Sequence, residues 1–526
     1  QEQRKNLPKP ISFRPNETIC LEKLIYIHLL YSMKKAFVVG SGIAGIASSI
    51  RLAVKGYEVE VFEANAYPGG KLSAIEGKGY RFDAGPSLFT LPEQVEELFH
   101  LAGKNPTDHF VYERLEVVCH YFWEDGTKVK AWADPDRFAT EVASQLGVSD
   151  KGIKEVLKRS AFIYEHLAPL FMHRSLRKLG TWLGPQALKA YLNLGKLGLF
   201  STMHASNTQL LGDSKLVQLF NRYATYNGSD PYQTPATLTI IPHLEFNLGA
   251  YFPKRGMHDI SMSLYKLALS LGVRYHFNAP VEEVLVEKGR ACGLRVKGEN
   301  LAADLVVNNM DMVNAYKTIL KKQAQPKKLL EQPKSSSALI FYWGITQVFE
   351  EIGMHNIFFS EDYETEFVHI FRKGTIYEDP TVYINCTSVT KSDDAPAGGM
   401  NWFTMINVPN NQGQDWDKLI AKARKDILAK LSRLLHADIE KLIAFEEVLD
   451  PRSIESKTSS AHGALYGNSS NTRFAAFLRH PNVSTQIKNL YFCGGSVHPG
   501  GGIPLALLSA KIMSEEIPVL KKELAF

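Results

Sequence analysis

The stretch KKAFVVGSGIAGIASSIRLAVKGYEVEVFEANAYPGGK, residues 34–71, decides the fold. Residues 36–39 form a short apolar run, and Gly40, Gly42 and Gly45 complete a G-x-G-x-x-G pattern. Residues 44–55 have helical composition, and 58–63 alternate as a strand. Glu63 stands about 20 residues after the glycines, where the acid of a dinucleotide-binding fingerprint bonds a ribose hydroxyl. By itself a glycine triplet marks no more than a tight turn with close helix packing. Flanked by this strand, helix and acid, it predicts a pyrophosphate on the helix N-terminus, held by backbone N–H groups and the positive end of the dipole.

Spacing does not separate NAD from FAD. Gly69-Gly70-Lys71 follows Glu63 closely, and GYRFDAGPSLF (79–89) adds a strand leading to a Gly-Pro turn. Taken alone the doublet reads as a hairpin turn after Pro68. Beside the first motif it suits a larger cofactor, one that bare backbone approaches along more of its length.

A second glycine-rich stretch, YFCGGSVHPGGGIPLALLSAKI, lies near the other end at residues 491–512. Residues 489–495 read as a buried strand running into a bare loop, with Pro504 at the first position of a helix over 505–516. Each glycine there costs backbone entropy on folding, so the loop is expected to admit a flat ring against backbone. The helix start, carrying about half a positive charge, would face negative charge on that ring. Residues 278–296 read as strand, turn and strand, and LAADLVVNNMD (301–311) as a further buried strand. A cofactor domain is therefore expected from separated segments, 33–115 with 255–320 and 480–526, leaving 116–254 with 321–479 for the substrate.

The 526 residues are 45% hydrophobic and 22% charged, enough for a large core. A net charge of +5 without a Lys/Arg block excludes nucleic acid as the expected partner. The five cysteines are widely spaced, with no C-x-x-C and no His partner at ligand spacing, so neither zinc nor a disulfide framework is indicated. No apolar run reaches the roughly 18 to 20 residues that span a bilayer. The chain opens at Gln1, and Met33-Lys34-Lys35 stands directly before the first strand, so residues 1–32 read as an extension outside the fold.

Residues 33–89 together with 489–517 resemble the bacterial phytoene-desaturase-type carotenoid desaturases, a branch of the FAD-dependent amine-oxidase superfamily. The resemblance rests on the N-terminal glycines, the Gly69-Gly70 doublet, and a G-x-x-x-H-P-G-x-G-x-P run matched by Gly494, His498, Pro499, Gly500, Gly502 and Pro504. It implies an α/β fold with a Rossmann-type FAD-binding domain and a substrate domain on a mixed sheet. It also implies FAD contacts at Gly40, Gly42, Ala44, Gly45, Glu63, Gly69, Gly70, Lys71, Val281, Gly494, Gly495, His498, Gly500, Gly501, Gly502 and Ile503. Lys71 stands where an arginine is usual, which leaves the charge but not a bidentate fork. VVNNMD replaces the commoner Ser-Asn-Ala-Asp pattern before Asp311.

The middle stretch LFNRYATYNGSDPYQTPATLTIIPHLEFNLGAYFPKRGMHDI (219–260) is similar to the 1-hydroxycarotenoid 3,4-desaturase subgroup. Arg222 to Tyr226, Pro231, Pro235 and Gly256-Met257 carry the match, and Arg255 replaces a usual glycine. The chemistry so implied removes a hydride and a proton from adjacent carbons beside a polyene, the flavin taking the hydride. Such a route needs an apolar tunnel more than acid/base groups. His243 and Glu245 are the candidates for proton acceptor, and each also reads as a structural polar group. Tyr223, Tyr226, Tyr232 and Phe246 are candidates to line the tunnel or to be plain core.

Between Glu165 and Asp213 there is no acidic residue, while Arg174, Arg177, Lys178, Lys189 and Lys196 alternate with Leu, Phe, Trp and Tyr. Over residues 166–212, within a helical insertion at about 151–212, this pattern suits an interfacial helix pair broken at Gly184-Pro185. A lipid-dissolved carotenoid substrate would place such a protein peripherally on the cytoplasmic face of the cell membrane. The alternatives are a phytoene desaturase, an amine or porphyrinogen oxidase of the same superfamily, and a non-catalytic lipid-binding member of the fold.

Overall fold

The computed structural model describes residues 34–472 and 475–520, so the extension expected at 1–32 lies outside the described residues. The strand Lys35–Val39 sits between Leu305–Asn308 and Glu58–Phe62, and Leu490–Phe492 and Arg274–His276 complete a five-stranded sheet, parallel throughout. Lys35–Val39, Leu305–Asn308 and Leu490–Phe492 read as nearly continuous apolar runs because both faces are covered there, whereas Glu58–Phe62 alternates toward the edge. Ala36 and Val38 point to one side, under the helices Ile43–Val54, His258–Ser270 and Ile503–Glu515. Phe37 and Val39 point to the other, packed on the antiparallel strands Val281–Glu287 and Arg290–Val296 and on the helix Met312–Lys317. Three remote stretches of chain thus share one sheet.

A second, seven-stranded mixed sheet runs in the order Ile443–Leu449, Ser337–Ile345, Met400–Val408, Val382–Asn385, His355–Phe358, Val117–Phe122, Lys128–Trp132. Only His355–Phe358 and Val117–Phe122 pair in parallel. Alternation divides its two faces. Phe341, Trp343 and Trp402 are buried beneath the amphipathic helix Trp416–Leu434, against Trp416, Ile427 and Leu431. Ala338, Ile340, Tyr342 and Phe403 turn the other way, toward the parallel sheet and the cavity between them.

The helix Lys151–Phe171 walls that cavity with its last turn, where Leu167, Ala168 and Phe171 face inward. Beyond it the chain forms the short helices Leu179–Leu183 and Pro185–Leu192, broken at Gly184-Pro185 as the sequence predicts. Among the described residues, no helix is long and apolar enough to cross a membrane. The C-terminal helix begins one residue earlier than expected, at Ile503, with Gly502 as N-cap and Pro504 second.

The first helix can leave the first strand only because Gly45 lacks a side chain: a Cβ there would lie 2.1 Å from the Gly40 carbonyl oxygen. Gly45→Ala should lower the stability of the cofactor-free protein by about 1–3 kcal/mol, the usual cost of overpacking, read as a drop in Tm. An unchanged Tm would show that this turn can relax.

Candidate functional site

The first strand ends at Gly40, at φ +88°, and the helix Ile43–Val54 starts from Gly42, which offers no side-chain cap. A side chain from elsewhere takes that place in part: the Asn309 amide oxygen accepts from Gly42 N and Gly45 N at 3.3 and 3.2 Å. Gly69 and Gly70, at φ +105° and +60°, bring a second backbone segment onto this turn. Gly69 N donates to Ser41 O at 2.8 Å, and a Cβ on Gly70 would lie 3.3 Å from Gly42 Cα. The doublet is thus more than a hairpin turn. Glu63, 6% exposed, accepts from Ser41 N and Ser41 Oγ on one oxygen, at 2.7 and 2.8 Å. Its other oxygen accepts from Asn65 N and Nδ2, at 2.8 and 2.9 Å.

The C-terminal loop closes the other side. Gly494, at φ +104°, comes so close to Asn309 that a Cβ would lie 2.7 Å from the Asn309 Oδ1. Asn309 also lies against Gly42 and Gly45, so one side chain separates the two glycine turns. Gly502, at φ +103°, caps the final helix, and a Cβ there would meet no protein atom within 4 Å. Two helix N-termini with glycine N-caps, from opposite ends of the chain, open on the same cavity of about 1360 Å³.

Its wall includes Gly40, Gly42, Ala44, Glu63, Gly69, Gly70, Lys71, Val281, Gly494, Gly495, Gly501, Gly502 and Ile503. Gly45, Gly500 and His498, expected at the cofactor from the resemblance, stand behind the wall instead. His498 donates from Nε2 to Arg174 O at 2.9 Å, with its ring edge-on to Phe171. Burial lowers its pKa to about 4, so the neutral ring serves to fasten the end of the cavity helix. Gly500 makes room for Arg479, whose guanidinium donates to the carbonyls of Tyr466 and Asn468 at 2.9 and 3.2 Å. Burial lowers Arg479 to about 10. Sequence reading missed this cation on the cavity wall because nothing in its local pattern marks it. Lys71 donates to Leu465 O at 3.1 Å, and burial, opposed by Asp311, lowers its pKa to about 8.

The rest of the cavity is apolar, with Leu167, Phe171, Leu238, Ile241, Leu244, Ile340 and Phe403 among its walls. One buried polar patch lies among these side chains. Arg222 donates to the hydroxyls of Tyr121, Tyr226 and Tyr223, the Nε to Tyr121 at 3.0 Å and Nη1 to Tyr226 at 2.8 Å. Tyr223 donates to Glu245 Oε2 at 2.7 Å, and Arg222 stands 3.6 Å from the same oxygen. Burial raises the three phenols well above their ordinary range. Of the two proton-acceptor candidates only Glu245 reaches the wall; His243 packs on Tyr164 outside it. Of the four aromatic candidates Tyr226 alone lines the cavity. Tyr223 is fully buried behind it, Phe246 stacks on Phe138, and Tyr232 packs on His204 and Phe367. Sequence reading also missed His355, Tyr383 and Ser87, which come to the wall from a strand, its neighbour and a loop. Their chain separation hides the grouping.

The arrangement can hold a dinucleotide along two glycine turns and an elongated apolar ligand beyond it. The sequence matches the family described as flavin containing amine oxidoreductase over residues 43–518. It is 50% identical over 486 residues, 92% of this chain and 99% of the other, to a 1-hydroxycarotenoid 3,4-desaturase of Flavobacterium sp. strain P99-3. It is 31% identical over 495 residues, 92% of this chain and 98% of the other, to a 4,4'-diapolycopene oxygenase of Methylomonas sp.. An oxidoreductase structure from Methanosarcina mazei superposes with a TM-score of 0.61 at 16% identity, covering 91% of this chain and all of that one. Putrescine oxidase bound to putrescine superposes with 0.61 at 16% identity, over 92% and 99% of the two chains, and at that identity speaks for the fold alone. With a family match running nearly from the first glycine turn to the last helix, and both turns bordering one cavity, the chain belongs to the flavin-containing amine oxidoreductases.

Proposed function

We propose that this protein uses FAD to desaturate the 3,4 bond of a 1-hydroxycarotenoid. The observation that carries the reading is the 50% identity to a desaturase of that specificity over 99% of its length, in a chain whose glycine cradle opens directly into an apolar cavity. The residues present fit the cofactor. Ser41, Gly42 and Gly70 would hold its pyrophosphate on the first helix, and Glu63 would exchange its bond to Ser41 for a ribose hydroxyl. Gly502 leaves backbone space that a Cβ would fill. FAD supplies the two-electron acceptor for this class of reaction.

The protein's own part is positioning and exclusion of water. Leu167, Phe171, Leu238, Ile241 and Phe403 present the apolar area along which a polyene binds. Arg479, cationic and buried behind Gly495, favours negative charge beside the C-terminal loop, and the uncapped start of the final helix acts in the same direction.

Such a substrate has to enter from a bilayer, and the helices Leu179–Leu183 and Pro185–Leu192 provide a surface for that contact. Leu179, Leu183 and Leu192 are 78, 83 and 77% exposed, an unusual display for side chains of this size. Lys189 and Lys196 are exposed among them. The leucines would enter the acyl boundary while the lysines meet anionic headgroups, and the helix preceding them carries Phe171 to the cavity wall.

With FAD and vesicle-embedded 1-hydroxycarotenoid, the protein should yield a product with one more conjugated double bond, seen as a red-shifted absorption band, and should leave phytoene unchanged. Conversion of phytoene instead would move the assignment to that substrate. Lys189→Glu with Lys196→Glu should weaken binding to anionic vesicles by at least about tenfold, while Leu183→Ser with Leu192→Ser should weaken it on neutral vesicles too. Unaltered co-sedimentation of both pairs would remove this face from the membrane contact.

A further inference from the structure

Buried polar atoms in folded proteins are nearly always paired, and among the described residues three on the cavity wall are not: His258 Nε2, near Asp83 and Arg81, and one atom each on Glu245 and His355, near Arg222. Glu245 is 0% exposed; its Oε2 is taken by Tyr223 and Arg222, and its Oε1 has no partner. His355 is 4% exposed, and its Nε2 has no partner. The His355 tautomer follows from its neighbours. Asn385 Nδ2, which can only donate, lies 3.3 Å from His355 Nδ1, so Nδ1 accepts and the proton sits on Nε2. Tyr383 OH, at 2.7 Å from the same Nδ1, then donates as well, and Ser87 Oγ at 2.6 Å donates to Tyr383 in turn. Burial lowers the imidazole to about 3, helped by the nearby Arg222 charge, so the ring is neutral. Of the two orphans near Arg222, one is therefore an acceptor and the other a donor.

Strand register brings them to one place. His355–Phe358 lies parallel to Val117–Phe122, with Ile357 opposite Tyr121. Two residues back along the same face, His355 lies near enough to Arg222, the partner of Glu245, to feel its charge. Apolar side chains such as Leu238, Ile241, Leu244 and Ile357 share this part of the wall. An acceptor and a donor, both desolvated, match a group that gives and takes one hydrogen bond, and a hydroxyl does both.

We propose that Glu245 and His355 recognise the terminal hydroxyl of the substrate, which donates to Glu245 Oε1 and accepts from His355 Nε2–H. The inference rests on the function proposed above and deepens it. In a 1-hydroxylated chain the hydroxyl carbon lies two bonds from the 3,4 bond, so anchoring that hydroxyl selects which bond is presented for oxidation. A site with buried groups built to pair a hydroxyl rejects an analogue lacking it, because those groups are then left unpaired. Glu245 thereby acts in specificity, its charge held by Arg222, and needs no proton transfer.

The test uses the FAD-loaded wild type with three vesicle-embedded substrates sharing one polyene, carrying a 1-hydroxyl, a 1-methoxyl or neither. The hydroxylated substrate should show a kcat/KM roughly 10- to 100-fold above both others, since the ether cannot donate to Glu245 and the hydrocarbon can do neither. In His355→Phe and Glu245→Gln that ratio should fall about tenfold, through a loss on the hydroxylated substrate alone, whereas a merely structural role would slow all three alike. Equal turnover of the three by the wild type overturns this inference and leaves the proposed function standing, whether or not the variants fold. An undiminished ratio in both variants, or an equal loss on every substrate, overturns it too. Failure of the wild type to desaturate any of the three overturns the proposed function and this inference with it.

Discussion

The structure depends on bare glycine backbone approached more closely than any side chain would allow. Gly45 against the Gly40 carbonyl, Gly70 against Gly42, and Gly494 against Asn309 are contacts at which a single Cβ would collide or crowd. Gly40, Gly69, Gly70 and Gly494 also hold positive φ, which other residues adopt at a cost. These approaches draw together three stretches separated by hundreds of residues, and they aim two helix N-termini at a common volume. The entropy that so many glycines lose on folding is offset by the surrounding core, where parallel strands buried on both faces supply the apolar area.

The second sheet follows a different rule. Alternation along its strands places Trp343 and Trp402 under a covering helix and turns the intervening residues toward the cavity. A wall made this way is apolar by default. Its polar patch is assembled from a strand, a neighbouring strand and the irregular segment around Arg222, so each polar side chain depends on packing partners far away in the chain. The buried guanidinium at Arg222 is tied to three phenols and one carboxylate, which lets it remain in a site from which water is excluded. Arg479, held mainly by carbonyls with one further bond to the Asn227 side chain, is another cation kept in the same cavity.

The cradle was legible in the sequence because its determinants are local. A strand, three glycines, a helix and an acid at fixed spacing define Gly40 to Glu63 without reference to anything else, and Gly502 with Pro504 marks a helix start in the same way. The helix break at Gly184-Pro185 and the acid-free basic stretch around it are equally local, and both are where the sequence put them. That separated segments combine was legible as an expectation, but not their strand order, since order in a sheet is set by long-range pairing that no single window contains.

The substrate end of the cavity was the part that residue types could not specify. Tyr223, Tyr232 and Phe246 have the chemistry of tunnel walls and pack elsewhere, because which face of a helical turn meets a cavity is settled by the neighbours across from it. His243 and Glu245 differ by two positions, yet only Glu245 reaches the wall, and His498 turns from it to hold the Arg174 carbonyl in the turn after the cavity helix. His355 carries no sequence mark at all. By itself, then, the sequence determined where the glycine turns of the cradle form, through steric requirements felt within a few residues. The tertiary structure decided which polar atoms stand bare in the wall beyond it, because burial and pairing are properties of contacts between distant segments.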